Sequence, residues 1–337
     1  MIFNKKILLF VVVLLVVISG IFYFRNQVYY SRGDYAGEKM FEIAKGEGNA
    51  LIASKLEEGG LVSRKIYFYY YLRTRGLLNK IMPGEYQLSG SMTIPEIAHI
   101  ITNPGQMFAK ITFPEGFTAS QMADRLTANG FPGEAFLKIV NDPGDFRKRY
   151  SYLSDPAVQT LEGYLFPDTY FFRKDITAEN ITGRLLDTFD GKLDGNLRKE
   201  MERRNKTIKD IIIMASLAEK EVQTLSDMKI VTGIFWKRLE IGQRLQSDAP
   251  LSYILNDKKD QHSGKELELD SPYNTYRNAG LPPGPISNPG LNAITAAVYP
   301  EDSGYNYFFT VVVDGEKKVV YSKTFEEHVA NKNKYGL

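Results

Sequence analysis

The sequence contains no cysteine and only three histidines, and these absences exclude several kinds of chemistry. Without cysteine there is no disulfide, no thiolate nucleophile and no cysteine-based zinc site. The histidines, at positions 99, 262 and 328, lack the His-x-x-x-His spacing of a zinc-binding helix, so no metal site is predicted. A Gly-x-Ser-x-Gly motif is also absent, which argues against a serine hydrolase.

A large excess of charge of either sign is absent as well. The 337 residues include 42 Lys and Arg and 40 Asp and Glu, a formal net charge of +2. This balance offers no basic surplus to neutralise a phosphate backbone, so no nucleic-acid partner is predicted. With 43% hydrophobic and 24% charged residues, the chain has globular composition, and its length allows an anchor and about two domains.

One long apolar run stands near the N-terminus, from Ile7 to Phe24. Its 18 uncharged residues are just enough to cross a bilayer. Lys5 and Lys6 precede it, which predicts a cytoplasmic N-terminus and an extracytoplasmic remainder in the cytoplasmic membrane. A cleaved signal peptide is the alternative, but no small-x-small cleavage site follows the run. We therefore predict a cytoplasmic tail over 1–6, a single transmembrane helix over 7–24 and a linker over 25–37.

Two stretches of the chain repeat each other 70 residues apart. Each predicts a short strand, a glycine turn, an amphipathic helix and a closing glycine. The first copy continues through an aromatic helix over 67–71 to a strand over 85–88, an order shared by many small carbohydrate-binding units. We predict one subdomain over 38–107 and a larger α+β domain over 108–337. The matched positions are Ile43, Gly46, Ile52, Ala53, Leu56, Gly60 and Leu61 in the first copy, and Phe113, Gly116, Met122, Ala123, Leu126, Gly130 and Phe131 in the second.

A carboxylate, Glu219, ends the apolar segment that begins at Ile211. Thr207 and Asp210 form a capping-box pattern, which predicts the start of a helix. At about 100° per residue, Glu219 borders the apolar face, whereas Glu221 points away and is expected to be solvated or ion-paired. Partial burial raises the pKa of a carboxyl group, which suits Glu219 to general acid catalysis. An ordinary amphipathic helix explains the same pattern.

Carboxylate chemistry surrounded by aromatic, Asn and Gln residues suits the cleavage of glycosidic bonds. Most glycoside hydrolases need a second carboxylate, and the candidates are Glu162, Asp168 and Asp248. Each of these also has a plain structural interpretation, as a surface ion pair, a turn cap or a loop anchor. A single carboxyl group is sufficient if the sugar supplies its own nucleophile.

Five segments of the chain carry long motifs of aromatic, acidic, glycine and proline residues. They are Glu162–Tyr170 (EGYLFPDTY), Ala215–Glu221 (ASLAEKE), Arg244–Asp248 (RLQSD), Tyr273–Tyr276 (YNTY) and Gly280–Ile286 (GLPPGPI). Through these segments, which stand in the family's order and at compatible spacing, the chain resembles the MltG/YceG-type endolytic murein transglycosylases. The resemblance runs from about residue 40 to the C-terminus.

The resemblance implies an α+β fold with an N-terminal transmembrane helix, a LysM-like subdomain and a mixed α+β catalytic domain. It implies cleavage of the MurNAc–GlcNAc bond within peptidoglycan strands, which leaves 1,6-anhydro-MurNAc ends. Glu219 matches the family's catalytic position, first as acid and then as base. No cofactor is implied, and membrane-bound cell-wall synthases are the implied protein partners. The implied substrate-binding residues are Gln246, Asp248, Tyr273, Asn274 and Tyr276, of which Asn274 or Tyr276 is expected to hold glycan oxygens.

Two departures from the family pattern accompany the resemblance. Asp248 is followed by Ala249 and Pro250, whereas the family often has Asp-Pro, so the loop can be displaced by one residue. The terminal hairpin, Gly315–Tyr321, lacks the histidine that the family often carries there. A hydrolase of the same bond and a non-catalytic peptidoglycan-binding scaffold remain alternatives.

Overall fold

A computed structural model describes residues 5–31, 33–34, 37–257, 259, 262–313 and 315–336. The chain forms two compact units. The first comprises the described part of Met1–Lys110 together with Phe171–Ile176, and the second comprises Ile111–Tyr170 and the described part of Thr177–Leu337. Helices and strands occur together in a mixed α+β fold, as the sequence predicts.

The first unit begins with a long apolar helix, α1 (Lys5–Tyr29). Its segment Ile7–Tyr29 is the one helix in the described part of the chain that is long and apolar enough to cross a membrane. The helix continues past the predicted end at Phe24, and Val28 is buried in the core of the unit. The structure thus places the first five residues of the predicted linker in the helix.

The remainder of the first unit has the predicted strand–helix–helix–strand order. β1 and β2 pair in antiparallel register, from Glu38 opposite Ser89 to Ile43 opposite Gly84. A four-stranded sheet has the order β1-β2-β3-β4, and β2 and β3 are antiparallel. The elements are β1 (Glu38–Ile43), α2 (Asn49–Glu58), α3 (Lys65–Thr74), β2 (Gly84–Ser89), α4 (Ile94–Ile101), β3 (Phe108–Thr112) and β4 (Thr169–Arg173).

The sequence repeat is confirmed as a repeat of structure. In the first copy β1 leads through Gly46 to α2, and in the second β3 leads through Gly116 to α5 (Ala119–Ala128). Both glycines have positive φ, +83° and +74°, a conformation that side chains with a Cβ rarely adopt. Each helix ends in the same way, because the backbone N–H five residues beyond Leu56 or Leu126 donates to the carbonyl of that leucine at 2.9 Å.

The second unit is mainly helical. Its central helix is α10, which packs against α11 and α14. The terminal hairpin is formed by β5 and β6, and a last helix follows it; residue 314, between the two strands, lies outside the described residues. The remaining elements are α6 (Gly133–Asn141), α7 (Phe146–Arg149), α8 (Ala178–Lys192), α9 (Gly195–Arg203), α10 (Ile208–Glu221), α11 (Leu225–Glu240), α12 (Ala249–Leu255), α13 (Gly264–Leu267), α14 (Leu291–Val298), β5 (Tyr307–Val313), β6 (Glu316–Ser322) and α15 (Phe325–Lys334).

Candidate functional site

The helix α10 is buried on all sides for two turns. Thr207 caps it, with the predicted capping box to Asp210, and every residue from Ile211 to Ala218 is buried. Burial on all sides explains the unbroken apolar run, since a helix with a solvated face would carry polar residues on that face. Glu219 is the first partly exposed residue after the run. The amphipathic alternative for α10 is therefore wrong.

Two loops of the second unit lie over Glu219. The backbone N–H of Gly290, at the start of α14, donates a hydrogen bond to Glu219 Oε2 at 3.0 Å. A Cβ on Gly116 would lie 3.3 Å from Glu219 Cγ, so this glycine packs directly on the acid. The two loops are joined by backbone hydrogen bonds from Gly116 to Asn288 O at 2.9 Å and from Asn288 to Phe117 O at 2.8 Å.

Burial raises the pKa of Glu219 above its ordinary value. The Gly290 N–H and the Lys220 ammonium favour the charged form, whereas the neighbouring carboxylate of Glu115 disfavours it. Glu115 is pressed against Gly290, because a Cβ there would lie 1.9 Å from Glu115 Oε1. At a given pH, Glu219 is therefore protonated to a larger extent than an ordinary glutamate, which is the direction that general acid catalysis requires.

Glu221 is predicted from the sequence to be solvated or ion-paired, and among the described residues it is neither. Its Oε1 accepts a hydrogen bond from the hydroxyl of Ser247 at 2.5 Å, and burial raises its pKa to about 7. The prediction was wrong because the helical-wheel argument treated the side away from the core face as solvent. In the structure that side is covered by the segment that contains Ser247 and Asp248.

The segment 246–248 is joined to the segment 273–276. Ser247 N–H donates to Thr275 Oγ1 at 3.0 Å, and Thr275 Oγ1 donates back to Ser247 O at 2.9 Å. Tyr276 donates its hydroxyl hydrogen to Asp248 Oδ1 at 3.1 Å. Burial raises the pKa of Asp248, while the Tyr276 hydrogen bond acts in the opposite direction. The structure thus brings Gln246, Asp248, Asn274 and Tyr276 into one polar cluster, which is joined to Glu221 through Ser247.

Gln246 has an unusual backbone conformation, with φ of +53°. Its side chain is exposed, and its N–H donates to Thr275 O at 3.2 Å. A non-glycine residue in this conformation is often retained at a functional position.

Tyr273 lies at the side of this cluster, with its ring 5.6 Å from that of Tyr253 and its hydroxyl against Gly284.

Asn274 serves the loop itself. It is fully buried, and its amide nitrogen donates to the carbonyls of Leu267 and Leu269 at 2.9 and 2.8 Å. Its Oδ1 accepts the Tyr276 N–H at 3.0 Å. The contact with glycan that the sequence predicts for Asn274 would require these bonds to break.

The candidates for a second carboxylate differ in their surroundings. Glu162 is buried, its pKa is raised to about 7, and it accepts hydrogen bonds from Ala119 N–H and from Asn288 Nδ2 at 2.8 Å. The surface-pair interpretation of Glu162 is therefore wrong. Asp168 is exposed, and its Oδ1 accepts the N–H of Thr169, as a turn cap does.

One group among the described residues has donor atoms close enough to hold a metal ion. It consists of Asp257, His262 and Glu266, whose donor atoms lie within 4.8 Å of one another. The ammonium of Lys259 lies between the two carboxylates, 3.6 Å from Asp257 and 2.5 Å from Glu266. The two carboxylates of this group are thus already paired with a lysine cation.

Several residues around Glu219 and Glu221 were missed at the sequence level. Glu115, Asn288 and Gly290 contact the site from segments that are distant in sequence, and no local pattern marks them. Gly116 did carry a signal, since it is the turn glycine of the second repeat, but the repeat indicated a turn and not a neighbour of the acid.

The chain is similar to known proteins over most of its length. The sequence model described as the YceG-like family matches residues 41–334. An endolytic murein transglycosylase of Bacillus subtilis is 30% identical over 305 residues, covering 87% of this chain and 83% of the relative. One of Streptococcus pneumoniae strain D39 is 29% identical, covering 86% of this chain and 57% of the relative. A crystal structure of a YceG-like protein from Listeria monocytogenes superposes with a TM-score of 0.62 at 32% identity, covering 87% of this chain and 98% of that one.

Proposed function

This chain belongs to the YceG-like family, and on that premise we propose that it is a membrane-anchored endolytic murein transglycosylase. The observation that carries the proposal is the position of Glu219. It ends a helix that is buried on all sides, it accepts the Gly290 N–H, and its pKa is raised. Relatives named endolytic murein transglycosylases align over most of the chain.

The reaction balances with one carboxyl group. Glu219 in its acid form donates a proton to the glycosidic oxygen as the bond from C1 of MurNAc to that oxygen breaks. The GlcNAc hydroxyl leaves. The C6 hydroxyl of MurNAc then forms a bond to C1 and gives its proton to the Glu219 carboxylate. The acid is regenerated, no water enters, and the product carries a 1,6-anhydro end.

Neither Glu162 nor Asp168 is placed to act as the base of a hydrolase. The oxygens of Glu162 accept hydrogen bonds from Ala119 and Asn288, and Asp168 is engaged at its own turn. These contacts argue against Glu162 and Asp168 as the base that would activate a water, and Asp248, the third candidate, accepts the hydroxyl hydrogen of Tyr276.

Gln246, Asp248, Tyr273 and Tyr276 are proposed to bind the glycan, and Asn274 is proposed to hold the loop that presents them. Replacing Tyr276 by Phe removes the hydroxyl that Asp248 accepts from. We expect Tyr276→Phe to lower kcat/KM by about tenfold, the effect of losing one hydrogen bond to a charged group. Unchanged turnover in steady-state assays would remove Tyr276 from the site.

The anchor and the first unit have proposed roles in the same reaction. α1 is proposed to span the cytoplasmic membrane once, with the N-terminus inside and the enzyme outside, near membrane-bound cell-wall synthases. The strand–helix–helix–strand unit is proposed to be LysM-like and to hold glycan. A polar cleft of about 260 Å³ supports this role, and it is lined by Gly46, Glu47, Asn49 and Asn79 among others.

The test is a digest of purified glycan strands by the full-length protein in detergent, with products read by mass spectrometry. We expect anhydro-ended products from the wild type and a loss of about 10²–10⁴-fold in kcat for Glu219→Gln. Glu240→Gln, the same change at the exposed end of α11, is the matched control and is expected to keep full activity.

Three other results would contradict the proposal. Products heavier by one water would identify a hydrolase. Intact glycan with binding retained by wild type and variant would identify a scaffold. Anhydro products from Glu219→Gln at the wild-type rate would assign the acid elsewhere.

A further inference from the structure

The end of α1 is built into the core of the first unit. Val28 is 2% exposed and belongs to the same hydrophobic cluster as Phe68 and Leu72 of α3. The ring of Phe24 lies edge-on to two tyrosines of α3, with centroid distances of 5.3 Å to Tyr67 and 4.8 Å to Tyr70. These contacts fix α3 against the last turns of α1.

Polar contacts fix the same arrangement one turn further along α1. Ser63 donates its hydroxyl hydrogen to Gln27 Oε1 at 3.0 Å. The guanidinium of Arg75, just after α3, donates to the hydroxyl of Tyr29 at 3.0 Å. The change from aromatic contacts at Phe24 to hydrogen bonds at Gln27 and Tyr29 is the change expected where hydrocarbon gives way to headgroups.

The length of the apolar run sets the depth of α3. The 18 residues from Ile7 to Phe24 span about 27 Å at 1.5 Å per residue, close to the ~30 Å of a hydrocarbon core. When this run fills the bilayer, Phe24 lies at its outer boundary. The tyrosines that pack on Phe24, and therefore α3, lie at the level of the headgroups.

The outward face of α3 is apolar and aromatic. Ile66, Tyr69 and Tyr70 are 65%, 38% and 50% exposed, and their i, i+3, i+4 spacing places them in one stripe. The buried residues of α3 are Phe68 and Leu72, on its other side. Tyrosine is the type of residue that settles at a membrane surface, with its ring in the boundary and its hydroxyl in water.

The charges within residues 59–84 have one sign, and among the described residues the one carboxylate shown bonded to the backbone of α3 is that of Glu57, which accepts the N–H of Lys65 at the start of the helix. Residues 59–84 include five basic residues, Arg64, Lys65, Arg73, Arg75 and Lys80, and no acidic residue. A basic segment held at a bilayer surface is attracted to anionic lipid headgroups.

We propose that α3 is an interfacial helix, which seats the first unit on the headgroup surface of the membrane that α1 spans. Ile66, Tyr69 and Tyr70 enter the boundary between headgroups and acyl chains, and the flanking basic residues bind lipid phosphates. The proposal rests on the membrane anchoring proposed above. Its consequence is that the first unit is held at a fixed height at the surface.

The absence of cysteine makes the test direct, because any introduced cysteine is the only thiol. Full-length Ile66→Cys and Tyr69→Cys would each be labelled with an environment-sensitive fluorophore in nanodiscs that contain phosphatidylglycerol. Lipids with a nitroxide near the headgroup serve as the quencher. Val16→Cys in α1, with a nitroxide deep in the acyl chain, tests the anchor, and the exposed Leu51→Cys of α2 is the matched control.

We expect quenching at positions 16, 66 and 69, and much less at position 51. If the label at position 16 is quenched but the labels at 66 and 69 are quenched no more than the label at 51, α3 is not an interfacial helix and the anchor still stands. If the label at position 16 is not quenched, α1 does not span the bilayer, and the proposal for α3 loses its premise. Labels at 66 and 69 that respond to added glycan strands but not to lipid would assign this face to sugar.

Discussion

At the residue scale, the two carboxyl groups at the end of α10 differ in what surrounds them. Glu219 faces Gly290 and Glu115, and it keeps partial access to solvent. Glu221 is bonded to Ser247. Both have raised pKa values because of burial, so the raised pKa alone does not select the acid. What distinguishes Glu219 is its position beside Gly290 and Glu115, whereas Glu221 lies against the segment that contains Ser247.

Glu115 is expected to tune the acid. Its negative charge raises the pKa of Glu219, so Glu115→Gln should lower that pKa. The proton that catalysis needs is then lost at lower pH, and the basic limb of the kcat/KM profile should move to lower pH. Profiles of Glu115→Gln and of the exposed Glu240→Gln would be measured side by side. A shift to higher pH, or none, would show that Glu115 does not act on Glu219.

Gly290 keeps Glu115 in place by lacking a side chain. Its φ of −75° suits alanine, but the added Cβ would displace the Glu115 carboxylate. We expect Gly290→Ala to shift the pH profile in the same direction as Glu115→Gln. The double variant, Glu115→Ala with Gly290→Ala, should have the same profile as Glu115→Ala alone. Gly195→Ala, where the new Cβ meets nothing within 4 Å, is the control. Additive effects in the pair would show that Gly290 acts by another route.

At the element scale, the bond between Glu221 and Ser247 ties α10 to the segment that carries Gln246 and Asp248. The segment in turn is held to 273–276 through Thr275. Helix and binding segments therefore form one assembly, in which the second glutamate of Glu-Lys-Glu has a positioning role.

Removing the Ser247 hydroxyl tests this link. We expect Ser247→Ala to lower the free energy of unfolding by about 1–3 kcal/mol, because a buried carboxyl group loses its donor. KM should rise more than kcat falls, since the segments bind substrate and the acid is untouched. The exposed Ser151→Ala is the control. If Ser247→Ala costs as much in a Glu221→Ala background as it does alone, the two side chains are not coupled.

At the scale of the whole molecule, a buried hydrogen-bond network joins parts of the second unit that are distant in sequence. Glu162 accepts from Ala119 N–H and from Asn288, whose own Oδ1 accepts the N–H groups of Gly163 and Leu165. These segments are brought together only by the complete fold. This network also explains why the titratable Glu162 is tolerated in the core, because each of its two carboxyl oxygens accepts a hydrogen bond.

Glu162 should make stability depend on pH. Its pKa is about 7 in the folded protein and 4.5 in the unfolded chain, so the folded state holds a proton that the unfolded state releases between these values. Stability should therefore fall as pH rises from about 4.5 to 7. Glu162→Gln, which resembles the protonated form, should flatten this decline in urea unfolding curves. An equal decline in the variant would assign it to other groups, Glu221 first.

Local signals in the sequence predicted much of the fold. The Thr207 capping box, the glycines of the repeat, the terminal hairpin and the apolar run of α1 each depend on residues a few positions apart. The position of Glu219 at the end of a buried helix followed from the same signals. Its catalytic role and the glycan-binding roles of Gln246, Asp248, Tyr273 and Tyr276 stay predictions. The glycan contact predicted for Asn274 is untested as well, and we propose that this residue holds its loop instead.

The sequence by itself determined the start of α10, the glycine turns of the repeat, the family that the segments resemble and the carboxylate that follows the buried run, because those properties reside in short stretches of chain. Only the tertiary structure decided that Glu221 is bonded to Ser247, that Asn274 holds its own loop and that Glu115 and Gly290 flank the acid. The physical reason is that a pKa or a hydrogen bond depends on neighbours in space. Gly290 is 71 positions from Glu219, and no local pattern encodes that contact.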